Sequence, residues 1–100
     1  MARLSDGEVR AGLATLDGWE LDGDRITREY RLAGFPEAVA FVVRLSYPAE
    51  AADHHPDLDV RYNRVRVSLS THSEGGVTVK DLELAQVIHA LAGKAGAAAL

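Results

Sequence analysis

A chain of 100 residues, 47% apolar and 26% charged, has room for one modest core but not two, and it has the make-up of a soluble globular domain. A formal net charge of −4 argues against non-specific binding to nucleic acid or an anionic membrane surface, and no apolar run nears the roughly 20 residues of a bilayer span. The absence of cysteine excludes disulfides and thiolate chemistry, and with no hydrophobic secretory segment at Met1–Asp6 the expected location is the cytoplasm.

Ser5 followed by Glu8 forms a capping-box pattern, and Val9, Leu13 and Leu16 recur at helical spacing, which predicts a short helix over about 6–15. Asp17-Gly18 breaks it. Trp19 and Leu21, then Ile26, Tyr30 and Leu32, alternate with polar residues around the tight turn Asp22-Gly23-Asp24. They predict a hairpin of about 18–22 and 25–32. Arg28 falls on its apolar face by parity and is expected near a sheet end, with its head in water. Pro36 suits a first helical turn, and Phe35, Val39, Val42, Leu45 and Ala49, widened by Ala38 and Phe41, predict the longest helix over about 36–51. Pro48 should kink or end it.

After Pro56, Leu58 and Val60 alternate with charged residues, and Tyr62-Asn63 reads as the turn of a second hairpin. Val65, Val67, Leu69 and Thr71 then face one way, with Arg64, Arg66, Ser68, Ser70 and His72 on the other. Gly75-Gly76 turns the chain. Thr78 and Asp81 form a second capping box, and Leu84, Val87, Ile88 and Leu91 supply the stripe of a helix over about 79–93. A frayed tail is expected over about 94–100. The order α-β-β-α-β-β-α predicts a single α+β domain over 1–100, a four-stranded antiparallel sheet with helices packed on one face.

Three of the four histidines, His54, His55 and His72, lie between Asp53-His54-His55-Pro56 and the end of the last long strand. A His-His pair is in most chains a solvated turn feature. Here Pro56 restricts His55, Glu50 and Asp53 can accept a hydrogen bond from a ring N–H, and the hairpin can fold His72 back toward the pair. Imidazoles with carboxylate orienters suit general acid–base work near neutral pH. A metal site is the rival, since histidine and carboxylate are zinc and iron ligands, but adjacent residues on an extended segment diverge, so no metal is expected. Arg61, Arg64 and Arg66 read as a solvated sheet face, and His89 on the last helix as structural.

Glu50-x-x-Asp53-His54-His55-Pro56, Tyr62-Asn63-x-Val65, Leu69-Ser70-Thr71-His72, Gly75-Gly76, Thr78, Asp81 and Leu84-Ala85 resemble pterin-4a-carbinolamine dehydratase, as do Leu16-x-Gly18-Trp19, Ile26-x-Arg28 and Phe35-x-x-Ala38-x-x-Phe41 upstream. The resemblance covers about residues 10–92 and implies the same element order. It implies dehydration of a 4a-hydroxytetrahydropterin, of the tetrahydrobiopterin type, to the quinonoid dihydropterin, without metal or cofactor, in recycling the pterin used by aromatic amino acid hydroxylases. His54, His55 and His72 match the family's catalytic histidines, Ser70 and Thr71 its substrate-lining segment, and Glu50, Asp53 and Pro56 their surroundings. It also implies a homodimer or homotetramer, and admits a non-enzymatic role in protein assembly, as in some relatives. Leu58, where an aromatic residue is common, Gly34, where a capping Asp or Asn is common, and Pro48 depart from the family pattern.

Overall fold

The computed structural model describes residues 2–99, with side chains described through Ala97. Helix α1 (Asp6–Leu13) is followed by strands β1 (Glu20–Asp22) and β2 (Arg25–Arg31), helix α2 (Phe35–Ala51), strands β3 (Asp57–Arg61) and β4 (Arg64–Leu69), and helix α3 (Val79–Lys94). The α+β order read from the sequence is the order found. The strands form an antiparallel sheet in the order β1-β2-β4-β3. Ile26 faces Leu69, Arg28 faces Val67 and Tyr30 faces Val65, so the apolar rows of β2 and β4 share one face, which the helices cover. On the opposite face Glu29, Arg66 and Asp59 form one row and Arg31, Arg64 and Arg61 the next. The three arginines thus lie on the open face among acidic residues; Arg61 Nε donates to Asp59 at 3.3 Å.

Both capping boxes form. Glu8 N–H donates to Ser5 Oγ at 3.1 Å while Ser5 N–H donates to Glu8 Oε1 at 2.9 Å, and Thr78 and Asp81 repeat the arrangement at α3. Gly34 caps α2 with no side-chain hydrogen bond. Several expectations are corrected. The buried stripe of α2 is Ala38, Phe41, Leu45 and Ala49, while Phe35, Val39, Val43 and Tyr47 remain exposed. The helix is apolar over a wider arc than one sheet face can cover, and the layer chose the side with the small alanines. In α3 the buried apolar residues are Leu84, Ala85, Ile88 and Ala92; Val87 is exposed. Pro48 does not end α2. The helix runs three residues further, because the carbonyl of Pro48 still accepts from Ala52 N–H at 3.0 Å and only the bond to Arg44 is lost.

Arg28 does not reach water. The residue is 5% exposed, its guanidinium lies 4.5 Å from the Tyr30 ring centroid and is pressed against Gly18, and its Nε has no hydrogen-bond partner among the described residues. The connection from α1, with buried Leu16 and Trp19, closes over that sheet end. Gly18 adopts φ 83, and a Cβ there would overlap the guanidinium, so the approach needs glycine twice over. At the C-terminus, where a frayed tail reads from about 94, Ala98–Ala99 pairs as a short β5 with Tyr30 and Arg31, beyond the end of β1. Leu100 lies outside the described residues. No helix among the described residues is long and apolar enough to cross a membrane.

Candidate active site

The end of α2 aims the two consecutive histidines. Ala52 closes the helix and Asp53 turns left-handed at φ 49. Asp53 N–H donates to the Glu50 carbonyl and His54 N–H to the Ala49 carbonyl, each at 3.0 Å. This is the Schellman arrangement, and aspartate is among the few side chains that tolerate its left-handed position. Asp53 therefore acts through the backbone. Among the described residues its carboxylate hydrogen-bonds to neither imidazole, contrary to the orienting part expected of it.

The turn sends His54 inward and His55 outward. His54, 8% exposed, hydrogen-bonds through Nε2 to Oδ1 of Asp81, which is fully buried at the start of α3. Asp81 Oδ2 accepts from Thr71 Oγ1 and from Thr78 N–H, each at 2.9 Å. Thr71 and Thr78 hydroxyls touch at 2.8 Å. His55 Nε2 lies 2.7 Å from Glu50 Oε1, both side chains exposed. Each imidazole thus has its own carboxylate, one sealed and one in water. Pro56 then carries the chain into β3.

His72 stands apart from that pair. It opens the single 3₁₀ turn His72–Glu74 after β4 and is exposed. It lines a cleft of about 260 Å³ with Asp24, Arg25, Asp57, Ser68 and Ser70. His55 lines another, of about 430 Å³, with Glu50, Pro56, Tyr47 and Leu58. By strand alternation Asp57 belongs to the open sheet face and Leu58 to the helix-covered face, so the two clefts flank β3 from opposite sides. The tertiary structure brings His54 to Asp81, which Thr71 also hydrogen-bonds, His55 to Glu50, and His72 into a cleft with Asp57 and Ser70. Ser70 Oγ donates to the Asp24 carbonyl at 2.8 Å, and the Thr71 hydroxyl points into the core at Asp81 rather than toward either cleft. Among the described residues no three of His, Cys, Asp and Glu converge to hold a metal ion.

Asp81 is the residue the sequence undervalued. Its spacing from Thr78 accounts fully for a helix cap, and nothing in that local pattern signals a histidine 27 residues upstream.

The profile of the family described as pterin 4 alpha carbinolamine dehydratase matches residues 2–91. The chain belongs to this family. A Chloroflexus aurantiacus protein named for pterin-4-alpha-carbinolamine dehydratase is 50% identical over 93 residues, covering 93% of this chain and all of its own. A Thermosynechococcus vestitus protein of the same name is 50% identical over 90 residues, covering 90% of this chain and 95% of its own. Among solved structures, a transcriptional coactivator/pterin dehydratase from Brucella melitensis superposes with TM-score 0.86 at 43% identity, over 91% of this chain and 99% of its own. The family resemblance read from the histidine motifs is thereby shown.

Proposed function

We propose that the protein dehydrates a 4a-hydroxytetrahydropterin to the quinonoid dihydropterin by histidine general acid–base catalysis, recycling a tetrahydrobiopterin-type cofactor in the cytoplasm. The observation that carries this reading is the His54-His55 pair. Consecutive imidazoles are held against two different carboxylates, one buried and one exposed. Loss of the 4a-hydroxyl needs one proton delivered to the departing oxygen and one removed from N5, and two imidazoles in unlike surroundings suit the two tasks. His54 and His55 carry the transfers, and His72 orients substrate from the cleft it shares with Asp57 and Ser70. The family and its named relatives support the activity. Such a reaction requires neither metal nor redox cofactor.

The test is a dehydration assay. The hydroxypterin is generated in situ by a hydroxylase and quinonoid product is followed by absorbance, with wild type beside His54→Ala/His55→Ala. Wild type should accelerate dehydration and the folded double variant should not. Equal turnover in both would remove the histidine assignment.

One observation favours a second reading, a protein-interaction module. Phe35, Val39, Val43 and Tyr47 form an exposed apolar stripe along α2. A structure sharing this fold at 18% identity, with TM-score 0.67, is described as a pterin dehydratase-like RuBisCO assembly factor. No acceleration by well-folded wild type would move the weight there. Under either reading the stripe, with exposed Leu58 and Val60 of edge strand β3, suits association with further copies of this chain as a homodimer or homotetramer.

A further inference from the structure

Hydrogen-bond donors around Asp81 can be counted, and the count leaves one arrangement. As a carboxylate, Asp81 only accepts. Oδ2 takes the Thr78 N–H and the Thr71 hydroxyl. Thr71 has a single hydroxyl hydrogen, directed at Asp81, so its 2.8 Å contact with Thr78 must be donated by Thr78. Thr78 Oγ1 can do so because its lone pairs serve Lys80 N–H at 3.3 Å. The polarity therefore runs Thr78 O–H to Thr71 O–H to Asp81, and Oδ1 is left to accept from His54 Nε2. Neutral His54 must then carry its proton on Nε2, with a lone pair on Nδ1. Nδ1 has no hydrogen-bond partner among the described residues, and the His54 side chain keeps 10% of its surface exposed.

We propose that Asp81, held in place by Thr71 and Thr78, locks His54 as the Nε2–H tautomer and makes Nδ1 the proton acceptor of the site, with Asp81 and Thr71 as positioning residues. The chemical step rests on the dehydratase reading above. In that step the N5–H bond breaks and its proton goes to His54 Nδ1. The electron pair of that bond forms C4a=N5 as the C4a–O bond breaks. The hydroxyl leaves as water with a proton from an imidazolium, for which His55 beside Glu50 is placed. Asp81 stabilises the imidazolium formed at His54, and exchange with solvent resets both rings.

Asp81→Asn gives the sharpest expectation. Two donors, Thr78 N–H and Thr71 O–H, fix the acceptor end of that side chain, so the asparagine oxygen must face them and its NH₂ must face His54. The imidazole would then be forced to accept at Nε2 and carry its proton on Nδ1, as in the serine-protease triad when its aspartate is replaced by asparagine. The test is nitrogen NMR of ¹⁵N-histidine-labelled full-length protein, with His54 assigned by the signals lost in His54→Gln. Wild-type neutral His54 should show a pyrrole-like Nε2 and a pyridine-like Nδ1. The pattern should invert in Asp81→Asn, with kcat for dehydration down about 10²–10⁴-fold and KM little changed. Thr71→Val should keep the Nε2–H tautomer, which the Asp81 carboxylate imposes by itself, but loosen that carboxylate and lower kcat, and Thr71→Ser, which keeps the hydroxyl, should restore kcat. Wild-type His54 protonated on Nδ1, or an unchanged pattern in folded Asp81→Asn, would overturn the proposal. The wild-type spectrum decides the tautomer even if a variant does not fold. The expected tautomer in a protein that does not accelerate dehydration would support the locking chain and refute the catalytic reading instead.

Discussion

Tyr30, buried in the core, lies at the centre of a second polar chain that ends at the half-buried His89. Trp19 Nε1 donates to its hydroxyl at 2.9 Å, and the hydroxyl lies 2.7 Å from His89 Nδ1. Since indole is only a donor, the Tyr30 oxygen accepts from Trp19, and its contact with His89 ties α3 to β2, which gives that histidine the structural part its place on α3 suggests. Phe41 meets the same ring edge-on at 5.5 Å. Burial pushes the Tyr30 phenol above its ordinary value of 10.0, against the opposing effects of the Trp19 bond and the Arg28 charge. The folded protein therefore holds this proton to higher pH than the unfolded chain does. That contribution to stability is complete below about pH 10 and is lost as pH rises through the folded value. Denaturation midpoints across pH 8–12 should fall more steeply for wild type than for Tyr30→Phe, and parallel curves would rule the effect out.

Helix α3 starts where the site ends. Thr78 supplies both the cap and a link in the chain to His54, so the same side chain serves helix stability and imidazole geometry. Ser5 makes an equivalent capping box at the exposed start of α1, its side chain having no further hydrogen-bond partner among the described residues. Thr78→Ala should therefore cost more than Ser5→Ala. A cap alone is worth about 0.5–2 kcal/mol, and at Thr78 the buried Thr71 hydroxyl oxygen also loses its donor, about 1–3 kcal/mol more. Urea denaturation of the two variants checks the order. The end of α2 matters in the same way, since the Asp53 turn, rather than a hydrogen bond accepted by its carboxylate, separates the directions of His54 and His55.

For the whole molecule, one apolar layer lies between sheet and helices, and α2 has more apolar surface than that layer can use. Tyr47 is 73% exposed and Val43 50%, on the side of α2 away from the core. If copies of the chain associate there, as we propose, Val43→Glu together with Tyr47→Glu should lower the mass in solution at micromolar concentration while leaving the circular dichroism unchanged. A wild-type mass already that of a monomer would exclude the association.

Local pattern was enough for the element order, both capping boxes, the two hairpins and the histidine motif, because caps, turns and alternation act between residues a few positions apart. Periodicity placed the apolar arcs of α2 and α3 but not which part of each would be buried. That choice depends on the neighbouring layer, which accepted Ala38, Phe41 and Leu45 and left Phe35 and Val39 outside. Arg28 showed its parity in sequence, whereas its burial waited on the α1 connection closing over it. The histidines were legible as residue types suited to proton transfer. Their partners were decided only by the tertiary structure, which brought the cap of α3 to the end of α2 and so set Asp81 against His54. A hydrogen bond across 27 residues of chain leaves no local trace, since each partner's own surroundings already account for it.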